Sequence, residues 1–102
     1  MTIVTLRFIP VIKNFKHRGL KRLYELGDLR GIRPDLLDRV EDILGRLDQA
    51  ETPQAMNLPG YRLHKLTGDL REFWSVTVNA NWRIVSRFEG ADAFDVELID
   101  YH

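Results

Sequence analysis

Hydrophobic positions along this chain change period near its middle. Leu20, Leu23 and Tyr24 recur at the spacing that lines one face of an α-helix, and Gly27 follows where a left-handed C-terminal stop belongs. The pattern predicts a short helix near residues 17–26. A fuller stripe comes next: Leu36, Leu37, Val40, Ile43, Leu44 and Leu47 share one face, with Asp38, Arg39, Glu41, Asp42 and Arg46 on the others. Pro34 suits the first helical position, Asp35 favours the positive end of the helix dipole, and Pro53 lies beyond the end. A second helix is expected over 34–50.

After the breaker Leu58-Pro59-Gly60 the period shortens to two. Short strands are expected at 61–66, 73–78, 82–88 and 94–101, separated by Thr67-Gly68-Asp69, Asn79-Ala80-Asn81 and Glu89-Gly90-Ala91-Asp92. In the third of these, Trp82, Ile84 and Phe88 fall on one face and Arg83, Val85 and Arg87 on the other. Tight turns between consecutive strands imply an antiparallel meander. Residues 11–15 are expected to add a further strand. The fold class is therefore α+β, two N-terminal helices packed on an antiparallel β-sheet of about four strands.

Composition sets outer bounds. The chain has 102 residues, 44% of them hydrophobic, which fits one globular domain. It has no cysteine, which excludes disulfides, thiolate zinc sites and cysteine nucleophiles. No apolar run approaches the ~20 residues of a membrane span, and residues 1–10 lack the length and cleavage pattern of a signal peptide. A cytoplasmic protein with no membrane partner is expected. Fifteen Lys or Arg balance fifteen Asp or Glu, so the net charge is zero. That sum argues against a nucleic-acid partner until it is resolved along the chain. Residues 1–33 carry eight basic against two acidic side chains (+6), and 34–58 carry two against six (−4). Residues 59–87 carry five against two (+3), and 88–102 carry five acids and no Lys or Arg (−5). The zero is a cancellation between blocks, and a fold could present a basic face beside an acidic one.

Several chemistries have no motif here. His17, His64 and His102 are far apart and none pairs with a carboxylate at metal-ligand spacing, so no metal site or cofactor is expected. There is no phosphate-binding glycine loop, no dinucleotide fingerprint and no nucleophile elbow around Ser75 or Ser86. What remains in the β half is a set of Arg, His and Tyr side chains: His64, Arg71, Arg83, Arg87, Tyr101 and His102. Such groups suit metal-independent cleavage of RNA. The 2′-OH loses a proton as it attacks the adjacent phosphorus, the departing 5′-oxygen gains one, and imidazole can do either near neutral pH. A guanidinium can grip the phosphate and offset the charge that develops.

Four segments, taken in order, resemble the HigB branch of the RelE/ParE toxin superfamily. They are Ile12-Lys13-Asn14-Phe15-Lys16-His17-Arg18-Gly19-Leu20, Arg62-Leu63-His64-Lys65-Leu66-Thr67-Gly68-Asp69, Trp74-Ser75-Val76-Thr77-Val78-Asn79-Ala80-Asn81-Trp82-Arg83, and Asp100-Tyr101-His102. The resemblance covers residues 11–102 and implies a microbial RNase-like fold. It implies the toxin of a type II toxin–antitoxin system, an mRNA interferase that cleaves mRNA on the ribosome. It also implies a HigA-type helix-turn-helix antitoxin, with operator DNA bound only through the antitoxin complex. By position, His64, Arg83, Tyr101 and His102 match the family's active-site residues: Arg83 as phosphate clamp, His64 and His102 as proton-transfer groups, Tyr101 to orient or stack on the substrate. Which histidine is base and which is acid stays open.

Two departures from the family pattern matter. Many relatives carry lysine where this chain has Thr67, and Lys65 or Arg71 is expected to supply that charge, with Arg87 a further RNA contact. Relatives usually begin at the methionine just before Ile-Lys, where this chain has Val11. Residues 1–10 are accordingly expected to be an extension upstream of a start at Val11, against the rival of a real extra strand or arm. Two other functions stay open at this stage. One is a gyrase inhibitor of the ParE kind, which needs no acid–base set. The other is a non-enzymatic module acting only with its antitoxin.

Overall fold

The computed structural model describes residues 12–100. Its elements run α1 (Arg18–Leu26), α2 (Pro34–Gln49), β1 (His64–Lys65), β2 (Phe73–Asn79), β3 (Trp82–Glu89) and β4 (Asp92–Asp100), with 3-10 turns at Pro53–Met56 and Gly68–Leu70. The four strands form one sheet in the order β1-β2-β3-β4, and every neighbouring pair is antiparallel. Two helices on a four-stranded antiparallel sheet is the expected α+β arrangement.

Both helices end where their sequences lead. Gly27 closes α1 at φ +68°, its N–H bonding back to Leu23, and Pro34 opens α2. The α2 stripe supplies the centre of the core: Leu36, Val40, Ile43, Leu44 and Leu47 are buried against Val76, Val78, Ile84, Val96 and Leu98 of the sheet. Truncating one such leucine to alanine typically costs about 2–5 kcal/mol. The start of α1 lies hard against the loop before α2. A Cβ on Gly19 would stand 2.4 Å from the Gly31 carbonyl oxygen, so only glycine permits this approach.

Two strand expectations change. Of residues 61–66, only His64 and Lys65 join the ladder. Arg62 takes a left-handed φ of +51°, and Tyr61 turns into the core with its carbonyl still accepting from Thr77 N–H at 2.7 Å. The chain therefore crosses the sheet edge with an irregular step instead of a continuous strand. Of the expected strand at 11–15, Ile12 and Phe15 make isolated parallel bridges to Ala93 and Val96, and Val11 lies outside the described residues. Between those bridges β4 carries a bulge. The register slips between Val85 and Arg87, and Asp95 sits at φ +56°. Asn14 fills the gap: its amide Nδ2 donates to the Asp95 carboxylate at 3.0 Å and its Oδ1 accepts from Asp95 N–H at 2.7 Å.

His17 caps α1, its Nδ1 accepting from Leu20 N–H at 3.1 Å. Only a ring nitrogen with a free lone pair can accept, so the cap requires the neutral ring. Burial lowers the His17 pKa from 6.5, opposed by the nearby Glu97 carboxylate. A folded-state pKa below the unfolded one means the unfolded chain takes up the proton first. The cap's contribution is thus present above pH 6.5 and lost as pH falls below it. Melting temperature is expected to drop between pH 7 and 5, with about 1 kcal/mol of capping stability at stake. His17→Asn, which keeps a capping oxygen, should flatten that step.

Candidate active site

Strand register decides which side chains share a face. Trp74, Val76, Ile84, Ser86 and Phe88 line the narrow space under α2 together with Ile43 and Leu47. Residues of opposite parity face away from the helix. His64 pairs with Ser75, Ser75 with Val85, and Val85 with Glu97, making one row across all four strands. Thr77, Arg83 and Ile99 make the next. Ser75 and Val85 are buried, so the first row has a closed floor between His64 at one edge and Glu97 at the other.

His64 and Arg83 are thereby brought to one face. Two strand spacings and one two-residue step put their Cα atoms about 12 Å apart, within reach of two long side chains converging on one phosphodiester. His64 is exposed, and its Nδ1 lies 3.2 Å from the Arg62 carbonyl oxygen. A carbonyl can only accept, so Nδ1 is the donor, and in the neutral ring that tautomer leaves the lone pair on Nε2, the form a general base needs. The left-handed turn at Arg62 aims that carbonyl. Arg83 is half-buried and folds back on its hairpin, donating to the Ala80 carbonyl at 2.6 Å and the Trp82 carbonyl at 3.1 Å. Both acceptors are neutral, and an anionic phosphate oxygen is a stronger partner for the same N–H groups. The Thr77 hydroxyl beside it has no hydrogen-bond partner among the described residues.

The other expected residues are dispersed. Lys65 has the opposite parity to His64 and its Nζ rests 5.3 Å from the Trp74 ring centroid. It nonetheless lines, with His64, Leu66, Thr67 and Leu70, a shallow groove of about 230 Å³ at the edge of β1. Thr67 itself precedes the 3-10 turn and does not join the ladder, so no continuous strand face carries it beside Lys65. Arg71 ends that turn, exposed, donating to the Gly68 carbonyl at 3.3 Å. Arg87 shares the Arg83 face but is committed: Nε donates to Asp95 at 2.8 Å, Nη1 to Glu89, and the guanidinium lies 4.9 Å from the Phe94 ring. These bonds raise the Arg87 pKa and lower that of Asp95. Tyr101 and His102 lie outside the described residues. Among the described residues no group of three His, Asp or Glu side chains could hold a metal ion, and no helix is long and apolar enough to cross a membrane.

Sequence reasoning missed Lys16 as a residue of this face. Its N–H bonds the Val96 carbonyl at the β4 edge, yet its Nζ reaches to 5.6 Å from the Phe73 ring on β2. No periodic signal marks it, because a lysine long enough to cross a strand reads in sequence as ordinary surface.

A latch holds the approach to His64. Tyr61 donates its hydroxyl to Asp42 on α2, and the Arg39 guanidinium lies 4.6 Å over the Tyr61 ring while donating to the Gly60 carbonyl at 2.7 Å. Burial and the bond to Asp42 push the Tyr61 hydroxyl up to about 12, so it stays a proton donor across the neutral range. Tyr61→Phe, which removes the donor and keeps the ring, is expected to lower stability by about 1 kcal/mol in urea denaturation. Tyr61→Ala should cost about 3–5 kcal/mol.

Residues 13–102 match the family model described as the RelE-like toxin of type II toxin–antitoxin system HigB. An endoribonuclease HigB of Proteus vulgaris is 44% identical over 92 residues, covering 90% of this chain and all of the relative. The chain belongs to the HigB family of RelE-like toxins of type II toxin–antitoxin systems.

Proposed function

We propose that this protein is a toxin that cleaves mRNA on the ribosome, without a metal ion, and is neutralised by a HigA-type antitoxin. The carrying observation is His64 and Arg83 on one sheet face clear of α2, in a chain 44% identical to an endoribonuclease. In this reading the ribose 2′-oxygen attacks the adjacent phosphorus, a histidine takes its proton, and the P–O5′ bond breaks as a second group protonates the leaving oxygen. The products are a 2′,3′-cyclic phosphate and a 5′-hydroxyl. Arg83 exchanges its carbonyl partners for the phosphate and offsets the charge of the transition state. His64 and His102 share the proton transfers, and Tyr101 orients or stacks on a base. Tyr101 and His102 directly follow β4, whose Ile99 is paired with Arg83.

Lys65 is the better placed replacement for the lysine that many relatives carry at position 67, since it lines the groove that His64 and Thr67 share. We assign Arg87 first to holding the β4 bulge and only secondarily to RNA. Residues 1–10 stand outside the toxin domain in this reading, supported by a family match that begins at residue 13. The protein works in the cytoplasm, and operator DNA is reached only through the antitoxin complex.

Arg83→Ala and His64→Ala are each expected to cut cleavage about 10²–10⁴-fold while antitoxin binding persists. Primer-extension mapping of mRNA after induction, with and without translation, reads this directly. Cuts that need translation and vanish in both variants support the proposal. Inhibited supercoiling by gyrase without mRNA cuts would replace it with ParE-like action, and growth arrest undiminished in both variants would remove the site assignment.

A further inference from the structure

The exposed side of α1 carries charge that no salt bridge among the described residues neutralises. A groove of about 480 Å³ there is lined by Phe15, Lys16, Arg18, Lys21, Arg22 and Glu25. Lys21 and Arg22 stand three and four residues after Arg18 and four and three before Glu25, so the four side chains share one helical stripe. Four cations face one carboxylate, and none of the four is in a salt bridge among the described residues. The salt bridges of the described residues are Arg30–Asp28, Arg33–Asp35, Arg46–Asp42 and Arg87 with Glu89 and Asp95. Arg18 opens α1, whose first turn has no acid, so it stands where the backbone dipole is already positive, and Lys21 and Arg22 follow in mid-helix. Arg22 and Lys16 meet the Asp28 and Asp95 carboxylates only through space, so the stripe keeps positive charge that an anion laid along it would offset.

We propose that this groove binds the phosphate backbone of the RNA strand presented to His64 and Arg83, an inference that rests on the endoribonuclease reading above. Lys16 makes the connection. It lines the groove, and its Nζ also lies 5.6 Å from the Phe73 ring, on the same sheet face as Arg83. Through Lys16 one strand can cross the face and continue into the groove. The half-buried Phe15 ring in the groove wall adds an aromatic surface of the kind that single strands stack on, which an acidic peptide would not need. The contacts are to phosphate, so they add affinity without base preference.

The test uses a fluorescent 2′-O-methyl RNA oligonucleotide, which lacks the nucleophile and cannot be cleaved, in anisotropy titrations at several salt concentrations. The double variant Lys21→Ala/Arg22→Ala is expected to bind several-fold more weakly, with the log–log salt slope reduced by about 1.4 for two lost phosphate contacts. The charge-conserving Lys21→Arg/Arg22→Lys variant should restore both affinity and slope, which a merely structural defect would not allow. Co-sedimentation with mRNA-free ribosomes should be unchanged. An unaltered affinity and slope overturns the proposal, and so does a loss confined to ribosome co-sedimentation, which would assign the groove to ribosomal RNA. Because uncleavable RNA reports binding alone, absence of cleavage by the wild-type chain would sink the endoribonuclease reading without moving this result.

Discussion

Packing of the α2 apolar stripe against one side of the sheet is the constraint from which the site follows. Side chains alternate along a strand, so once Trp74, Val76 and Ile84 are committed to the helix, Ser75, Thr77 and Arg83 must point the other way. His64 joins them because it pairs with Ser75. A one-residue slip would exchange the two sets and drive the Arg83 guanidinium under α2 without a partner, a costly burial of charge. Core and candidate site therefore demand the same register. Stability and chemistry are read from opposite sides of one ladder.

The two edges of that sheet are held by different means. β1 offers only two residues, too few to define a strand by itself, and the Tyr61–Asp42 bond and the Arg39 contacts tie the preceding segment to α2. The exposed edge of β4 is covered by residues 12–16, which bond Ala93 and Val96 and clamp the bulge through Asn14. Arg87 serves this second edge. Its ties to Asp95 and Glu89 turn a residue of the candidate face into a brace for the bulge, whereas Arg83 on the same face bonds neutral carbonyls.

Periodicity made both helices and the two hairpins legible because each is a local pattern reinforced by a local stop. The segment at 61–66 misled because its alternation is interrupted by backbone geometry. Arg62 in the left-handed region is invisible to a hydrophobic pattern, and Tyr61 is claimed by the core from the other side. The β4 bulge was equally hidden. Nothing in the run of residues 92–100 says that Asp95 is the extra one, since its conformation is stabilised by Asn14, 81 residues away. His64 and Arg83 were legible through short family segments. Their common face became legible only with the register. The fate of Lys65, Arg87 and Lys16 depended on where long side chains come to rest, which no spacing rule encodes.

The charge balance shows the same division between local and long-range order. Part of the N-terminal basic block cancels within itself, as Arg30 bonds Asp28, and part against the next block, as Arg33 bonds Asp35. Arg87 is absorbed by the C-terminal acids. Among the charges in no salt bridge are the cations of residues 16–22 and Arg83 on one hand, and acids such as Glu41 along α2 on the other. At physiological ionic strength a charge is felt over about 8 Å, less than the ~10 Å thickness of a helix. The acidic side of α2 therefore does little to weaken the field of α1 for a molecule already in contact with it. Net neutrality limits attraction at a distance and says almost nothing about contact. A neutral chain can hold phosphate as firmly as a basic one wherever its own carboxylates are spent elsewhere.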